Sequence, residues 1–360
     1  MRLDVIDIIK AISILMIVNV HLLSGEFFRI GSTYHVIAFF FIVGLIANLQ
    51  NKEQNHGCWQ FVKNRAKRLL YPYYTLSLCY IVMHMVLNLF RGEELINVVI
   101  IDSLIKTITL RGIGTLWFLP VLFLAEILYF QTRKRINSII PLIAGILTIC
   151  ISSFLYRHDF FSYNEITARV ILIIYPVSIF LSSLIAMLFM YIGEFTSKII
   201  PNLFIDPHSF SKKQMLVVLS TCLVSYVANA YLSNSYSGDL HKLNIENAFV
   251  YITCSVLGIS FVTTLSILIA RYISCLAKLL LFWGKNSLII MTTHTEYYLN
   301  SIAYVLVTGV VGTLHITLEN KMISLLSILI IMLIESGLIV VVNKTVLKYL
   351  YKLPEISNIQ

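Results

Sequence analysis

Hydrophobic positions along the chain form long runs, without the apolar and polar alternation that marks half-buried strands. Six uncharged runs of more than 20 residues cover positions 30–51, 69–90, 136–156, 170–193, 214–238 and 247–270. Four more apolar stretches contain or adjoin a charge, at 11–24, 113–131, 286–308 and 322–343. About 20 residues at 1.5 Å each cross the hydrocarbon core of a bilayer. The pattern therefore predicts a bundle of about ten transmembrane helices.

Composition supports the same class of protein. Hydrophobic residues make up 58% of the chain and charged residues 12%. Soluble domains have about 45 to 50% apolar and about 25% charged residues, so this chain cannot cover a water-exposed surface. An outer-membrane barrel is excluded because its strands are about ten residues long and alternate in polarity. We therefore expect an all-α integral membrane protein.

The net charge of +9 raises the question of a nucleic-acid partner. With ten spans and a cytoplasmic N-terminus, 19 of the 27 Lys and Arg residues fall on the cytoplasmic side and eight outside. This asymmetry is the positive-inside rule, so the basic residues orient the protein and no nucleic acid is expected. Both termini are then cytoplasmic. We expect one membrane domain over 1–343 and a short cytoplasmic tail over 344–360.

The six cysteines are scattered and form no C-x-x-C pair. Most fall inside predicted spans, where a cysteine behaves as a small hydrophobic residue. Neither a metal site nor a disulfide framework is expected.

Ionisable residues inside the predicted spans are costly and are usually retained for function. The candidates are His21, His35, His84, Glu126, His294, Glu296 and Glu335. The alternative for each is a packing hydrogen bond between helices or a position near the interface.

His21 differs from the others because of its spacing from a cation on the same predicted helix. Lys10 precedes it by eleven residues, or about 16 Å along the helix axis. Lys10 is therefore expected at the cytoplasmic face and His21 deep in the outer half. His35 opens the returning helix, so the two imidazoles are predicted to approach each other.

Arg65 and Arg68 precede the third span from the cytoplasmic side. Arginines three residues apart share a helix face and can form a multidentate anion clamp. The alternative is that this basic cluster is only a topology signal.

Five segments resemble the family 3 membrane acyltransferases, in particular their fucose 4-O-acetylase-like branch. They are Asp7 to Lys10 with His21; Tyr34-His35 with Phe39 to Gly44; Arg65 to Tyr74; Leu116 to Pro120; and Gly284 to Leu288 with His294. Lys10 stands where the family usually has Arg, Val36-Ile37 replaces Met-Pro after the histidine, and Val43 replaces Ser before Gly44.

The resemblance implies transfer of an acyl group, usually acetyl, from cytoplasmic acyl-CoA to a hydroxyl of a glycan or lipid-linked sugar outside. It implies a multi-pass protein of the bacterial inner membrane, with acetyl-CoA as donor and no metal. His21 and His35 are the expected catalytic residues, and Lys10, Arg65 and Arg68 are expected to hold the CoA phosphates. The expected supporting residues are Asp7, Trp117, Lys285, Asn286, Ser287 and His294.

Two points stay open at this stage. His21 can act as a general base on the acceptor hydroxyl or can itself carry the acyl group. The alternative function is a transporter or flippase for a lipid-linked sugar, in which intramembrane His and Glu residues relay protons or hold substrate. That alternative is weakened because the two halves of the chain show no internal repeat.

Overall fold

The computed structural model describes residues 3–23, 25, 34–50, 57–94, 97–133, 135–163, 165–234, 236, 238–295, 297–313 and 319–351. The helices of the first half are α1 (Asp4–Val20), α2 (Ile37–Gln50), α3 (Cys58–Arg65), α4 (Tyr71–Arg91), α5 (Val98–Ile108), α6 (Phe118–Arg133), α7 (Ile139–Arg157) and α8 (Tyr175–Ile199). Those of the second half are α9 (Asn202–Ile205), α10 (Lys212–Ser233), α11 (Ala248–Tyr272), α12 (Ser274–Lys285), α13 (Ser287–Thr293), α14 (Leu299–Thr313), α15 (Asn320–Lys344) and α16 (Lys348–Tyr351). Two segments of wider π-helix, Ala66–Leu70 and Val170–Ile174, lead into α4 and α8. A segment of tighter 3₁₀ helix, Gly114–Trp117, leads into α6. Within the described ranges there is no strand, so the prediction of an all-α membrane protein is confirmed.

In the described part of the chain, seven helices are long and apolar enough to cross a membrane, or eight if the bent pair α12 and α13 counts as one span. Helices α1, α2 and α14 are shorter, with 17, 14 and 15 residues. The predicted span at 286–308 is wrong as a single helix. Its first part is α13, which follows α12 at a bend of 66°, and its second part belongs to α14.

Two helical segments widen immediately before a proline. The N–H of Tyr71 bonds to the carbonyl of Ala66, and that of Tyr175 bonds to Val170, each five residues back. The next residues, Pro72 and Pro176, have no N–H to donate, so the regular pattern is interrupted there. The basic segment before α4 therefore lies in a locally widened helix.

Close helix crossings at glycines hold the bundle together. A Cβ atom on Gly44 of α2 would overlap the carbonyl oxygen of Met190 in α8, and one on Gly193 of α8 would overlap that of Phe41. Small residues at such crossings let two backbones approach in a membrane, where van der Waals packing replaces the hydrophobic effect. Gly284 of α12 packs in the same way against the carbonyl of Asp7 in α1.

The predicted tail is described as far as Tyr351, and residues 352–360 lie outside the described ranges. Its short helix α16 packs against the bundle. The hydroxyl of Thr75 in α4 donates to the carbonyl of Leu350 at 2.9 Å, and the buried Tyr351 hydroxyl accepts from Thr292 at 3.2 Å.

Candidate active site

A cavity of about 640 Å³ lies at the C-terminal end of α1. Its walls come from the start of α2, the segment that leads into α6, the connection between α10 and α11, and the chain around α13 and α14. His21 and His35 both line it, together with Trp117, so the structure brings three of the predicted site residues together. The volume lies within the 300 to 1,000 Å³ typical of small-molecule sites.

His21 is the first residue after α1, and its side chain is exposed to the cavity. The backbone on both sides of it is fixed. Its N–H donates to the carbonyl of Val18 at 3.1 Å, and its carbonyl accepts from the Asn300 side chain at 3.0 Å. A hydrogen bond of 2.8 Å from Ser324 to the carbonyl of Gly25 holds the chain just beyond. The imidazole is therefore presented to the cavity from an anchored backbone.

His294 lies next to His21 but outside the cavity wall. The two ring centroids are 5.5 Å apart, and the His294 side chain is fully buried. Its Nδ1 is 2.7 Å from the carbonyl oxygen of Ile290. A carbonyl only accepts, so Nδ1 carries the proton and Nε2 of the neutral ring has a free lone pair. Nε2 has no hydrogen-bond partner among the described residues. Such a ring can orient His21 or accept a proton, but Nε2 cannot polarise a carbonyl by donating to it.

Other ionisable residues in the predicted spans form hydrogen bonds or ion pairs with neighbouring helices. Thr293 donates to Glu335 Oε1 at 2.7 Å, which connects α13 to α15 beside His294. Glu126 forms an ion pair of 2.9 Å with Arg65 Nε. His84 Nε2 is 3.4 Å from the hydroxyl of Tyr298. Glu335, Glu126 and His84 thus have the interhelical partners expected under the packing alternative, whereas Glu296 lies outside the described residues.

Trp117 lines the cavity and stacks on a histidine that sequence reasoning did not select. Its ring is 4.9 Å from that of His241, and the two planes differ by 9°. The segment carrying Trp117 is anchored to α13 because Thr115 donates to the carbonyl of Met291 at 2.7 Å. Gly112 has a φ of 80°, and a Cβ there would overlap the backbone of Trp117, so this turn requires glycine.

The connection between α10 and α11 contributes residues 238–242 and 244 to the cavity wall. We name residues 238–244 the outer loop. It does more than connect two helices, because it forms one wall of the cavity. Arg111 donates to the carbonyl of His241 at 2.7 Å, and Ser182 of α8 donates to that of Leu240 at 3.0 Å. The only sequence signal was the close spacing of Asp239, His241 and Lys242.

Burial lowers the pKa of His241 well below its ordinary value, and the charges of Arg111, Lys242 and Lys106 lower it further. Its imidazole is therefore neutral at physiological pH. Nε2 of His241 is buried and has no hydrogen-bond partner among the described residues. The cavity thus contains a neutral imidazole on the wall formed by the outer loop.

The predicted phosphate-binding residues do not line this cavity. Lys10 forms an ion pair of 3.0 Å with Asp7. It precedes His21 on α1 by about three turns of helix. Arg65 points inward to Glu126, while Arg68 is exposed, so the two guanidinium groups have different surroundings. The clamp formed by Lys10, Arg65 and Arg68 therefore stays a prediction.

The Gly284 to Ser287 motif has a structural effect on the site. Gly284 brings α12 onto α1, and Asn286 stands at the bend before α13. The Asn286 side chain donates to the carbonyl of Phe282 at 2.8 Å and accepts from Asn343 at 3.0 Å. The bend directs α13, with His294 at its end, toward His21. Lys285 is exposed and Ser287 is half-buried.

No group of three His, Cys, Asp or Glu side chains in the described part of the chain is arranged to hold a metal ion. The described cavity wall includes three imidazoles and the carboxylate of Asp239.

The fold and the site define a multi-pass membrane protein in which the imidazole of His21 faces a cavity and that of His294 lies directly behind it. A family model described as an acyltransferase domain matches residues 3–341, and the chain belongs to this family, the family 3 acyltransferases. The family resemblance is thus confirmed, and the fucose 4-O-acetylase-like branch stays a prediction. A search of curated proteins and a search of solved structures each gave no match.

Proposed function

We propose that this membrane acyltransferase is an O-acetyltransferase of the bacterial inner membrane. It moves an acetyl group from cytoplasmic acetyl-CoA to a hydroxyl of a cell-envelope or exported sugar. The observation that supports this most is the position of His21, whose ring faces a cavity of about 640 Å³ from the end of α1.

The chemistry needs a group that accepts the hydroxyl proton as the oxygen attacks. His21 takes that proton on a ring nitrogen, the oxygen bonds to the thioester carbonyl carbon, and the carbon–sulfur bond breaks. The imidazolium then returns the proton to the CoA thiolate, which leaves an acetyl ester and CoA thiol. In the second route the ring nitrogen bonds to the thioester carbonyl carbon, and the carbon–sulfur bond breaks to release the CoA thiolate. The hydroxyl oxygen then bonds to the acetyl carbon, the carbon–nitrogen bond breaks, and the hydroxyl proton neutralises the thiolate. Both routes place positive charge on the ring of His21 before the product forms.

The donor is proposed to bind at the face where α1 begins. Lys63, Lys67 and Arg68 are exposed there, just before α4, and exposed cations are available to phosphate groups. Lys10 and His21 are about 16 Å apart along α1, which is the depth that the acetyl group has to cover. The slim pantetheine arm suits this route because it carries no charge through the bundle.

The acceptor is proposed to enter from the opposite face, where the outer loop forms the cavity wall. Trp117, His241 and Asp239 give this wall aromatic and polar groups. Sugars fit such a surface because they present apolar ring faces and hydroxyl groups together.

The test is the substitution His21→Ala in the full chain, expressed in cells and compared at equal protein level. We expect acetyl transfer to fall by at least about 100-fold, since general base or nucleophilic catalysis is lost. Ester-linked acetate on the surface glycan and transfer from labelled acetyl-CoA in membranes are the measurements.

His208→Ala is the matched control because His208 is exposed in the connection before α10, away from the cavity. It should retain wild-type transfer. Substantial transfer by the His21→Ala protein would remove His21 from the chemistry, and absence of acetylation in the wild type would remove the proposed activity.

A further inference from the structure

The outer loop places a carboxylate in the same cavity as His21. Asp239 and His21 both line this cavity, so the carboxylate and the imidazole face the same enclosed space. His21 is at the end of α1 and Asp239 follows α10, so only the tertiary fold brings them together. The positive charge that develops on His21 therefore has an anionic neighbour across the cavity.

The conformation of the loop fixes the orientation of this carboxylate. Oδ1 of Asp239 accepts from the backbone N–H groups of His241, at 2.8 Å, and Lys242, at 3.2 Å. Asp239 and Asn244 exchange two backbone hydrogen bonds, of 3.2 and 3.0 Å, which close the turn. Leu243 adopts a φ of 54° and is fully buried, so the turn is a defined structure. The turn therefore holds the carboxylate through Oδ1.

The loop is also fixed from outside. Arg111 and Ser182 each donate to one of its carbonyl groups, and the ring of His241 stacks on Trp117. Three side chains, two from the connection between α5 and α6 and one from α8, therefore hold the turn against the cavity. A carboxylate fixed in this way does not have to reorganise as charge develops, which is the condition for electrostatic stabilisation of a transition state.

We propose that Asp239 is a positioning residue for the acyl transfer, which stabilises the positive charge on His21 as the acceptor hydroxyl or the thioester reacts. This proposal rests on the proposed function. It holds for both routes, because the imidazolium of the base route and the acylated imidazole of the covalent route are both cationic. In the base route the hydroxyl proton passes through His21 to the CoA thiolate, and in the covalent route it neutralises the thiolate released when the ring was acylated. Asp239 forms and breaks no bond in either route.

Other ionisable groups around His21 contribute to its electrostatic surroundings. Those on the cavity wall and behind the ring are His35, Tyr80, His241, Lys242, His294 and Tyr298. Glu335 lies further back, hydrogen bonded to Thr293. The substitution that tests the proposal changes only Asp239, so the contributions of these groups stay constant between the proteins compared.

The test is Asp239→Asn in the full chain, because an asparagine retains the oxygen that accepts from His241 and Lys242 but loses the charge. We expect kcat to fall about 10- to 100-fold with the KM for the acceptor changed less than about 2-fold. We also expect the acidic limb in the plot of kcat against pH to move to lower pH. A nearby anion favours the protonated ring, so its removal lets His21 stay unprotonated at lower pH. A purely structural effect would lower activity without moving that limb.

Asp206→Asn is the matched control. Asp206 also accepts a backbone N–H two residues along, from His208 at 3.0 Å, but it precedes α10 whereas Asp239 follows it. This variant should keep the wild-type kcat and pH profile. If Asp239→Asn does not fold, Asp239→Glu retains the charge and should keep the position of the acidic limb while kcat falls.

The outcomes separate the two proposals. If the wild type transfers acetyl groups and His21→Ala does not, but Asp239→Asn has an unchanged kcat and profile, the role of Asp239 is wrong and the proposed function stands. A large rise in the KM for the acceptor at constant kcat would also overturn the role proposed for Asp239, because Asp239 would then bind the acceptor. If the wild type transfers nothing, the proposed function itself fails.

Discussion

His241 and His294 are both buried imidazoles beside the cavity, but their neighbours give them different properties. Nδ1 of His294 is tied to the Ile290 carbonyl, which leaves a basic nitrogen in the protein interior. The surroundings of His241 are positive, with Arg111 bonded to its own carbonyl and Lys242 next in the chain. At the scale of single residues, the neighbours of each ring decide which nitrogen carries the proton and which charges surround it.

The lowered pKa of His241 predicts a loss of stability in acid. Below about pH 6.5 the imidazole of an unfolded chain takes up a proton, whereas the folded chain resists protonation at this site. The free energy of unfolding therefore falls as the pH decreases from about 6.5 toward the folded-state pKa, by up to about 1.4 kcal/mol per pH unit. His241→Gln cannot ionise and should lose less stability between pH 7.5 and pH 5 than the wild type.

The measurement is thermal unfolding in detergent at the two pH values. His158→Gln is the control because His158 is exposed after α7, so its substitution should leave the acid loss unchanged. An equal acid loss in the His241→Gln protein and the wild type would contradict the prediction.

Among the helices, the pair α12 and α13 has the most direct effect on the site. The apolar pattern over 286–308 predicted one continuous span, but the structure bends by 66° before α13 and ends that helix at Thr293. Hydropathy cannot reveal such a bend, because it depends on side-chain bonds from Asn286 to Phe282 and Asn343. The bend and the Gly284 crossing together set the distance between His294 and His21.

The close approach of α1 and α12 at Gly284 predicts that a single added methyl group there lowers both stability and acetyl transfer. In Gly284→Ala the new Cβ would overlap the Asp7 carbonyl, so α1 and α12 have to separate. Overpacking of this kind costs about 1 to 3 kcal/mol, and the displaced α1 carries His21 with it. We expect a lower thermal unfolding temperature and a loss of acetyl transfer of more than about 10-fold.

Gly337→Ala in α15 is the matched control, since nothing lies within 4 Å of a Cβ atom at that position. It should retain both stability and transfer. If the two alanine variants behave alike, the close approach of α12 and α1 is not important for the site.

At the scale of the whole molecule, the cavity and the basic segment before α4 are separate features. The cavity is at the end where α1 finishes, and the basic segment lies outside its wall, next to α6 through the ion pair between Arg65 and Glu126. The ion pair between Arg65 and Glu126 makes Arg65 a poor residue for this test, because removing Arg65 would leave a buried carboxylate without its partner. Arg68 is therefore the better residue for testing the donor site.

Arg68→Gln is expected to raise the KM for acetyl-CoA by about 5-fold with little change in kcat. The reason is that one charge-assisted contact to a phosphate, worth about 1 kcal/mol when exposed, is lost. Arg91→Gln is the control, because Arg91 is also an exposed arginine but lies at the other end of α4. Initial rates in membranes at varied acetyl-CoA are the measurement, and equal KM values for the two variants would rule out a specific role for Arg68.

Long apolar runs were sufficient to predict an all-α membrane protein, because the length and hydrophobicity of a span are local properties of the chain. The order of short motifs around His21, His35 and Trp117 was sufficient to predict the acyltransferase family, which the match over 3–341 confirms. These features do not depend on which helix packs against which.

Other features depend on contacts between residues far apart in the chain, and only the folded molecule determines them. Asp239 lies across the cavity from His21, more than 200 positions away in the sequence, and Arg65 is neutralised by Glu126 of α6. The sequence shows that these side chains are ionisable, but it does not show which residue each of them contacts in the folded protein. That partner decides whether a buried charge serves packing, as at Glu126, or faces the site, as at Asp239.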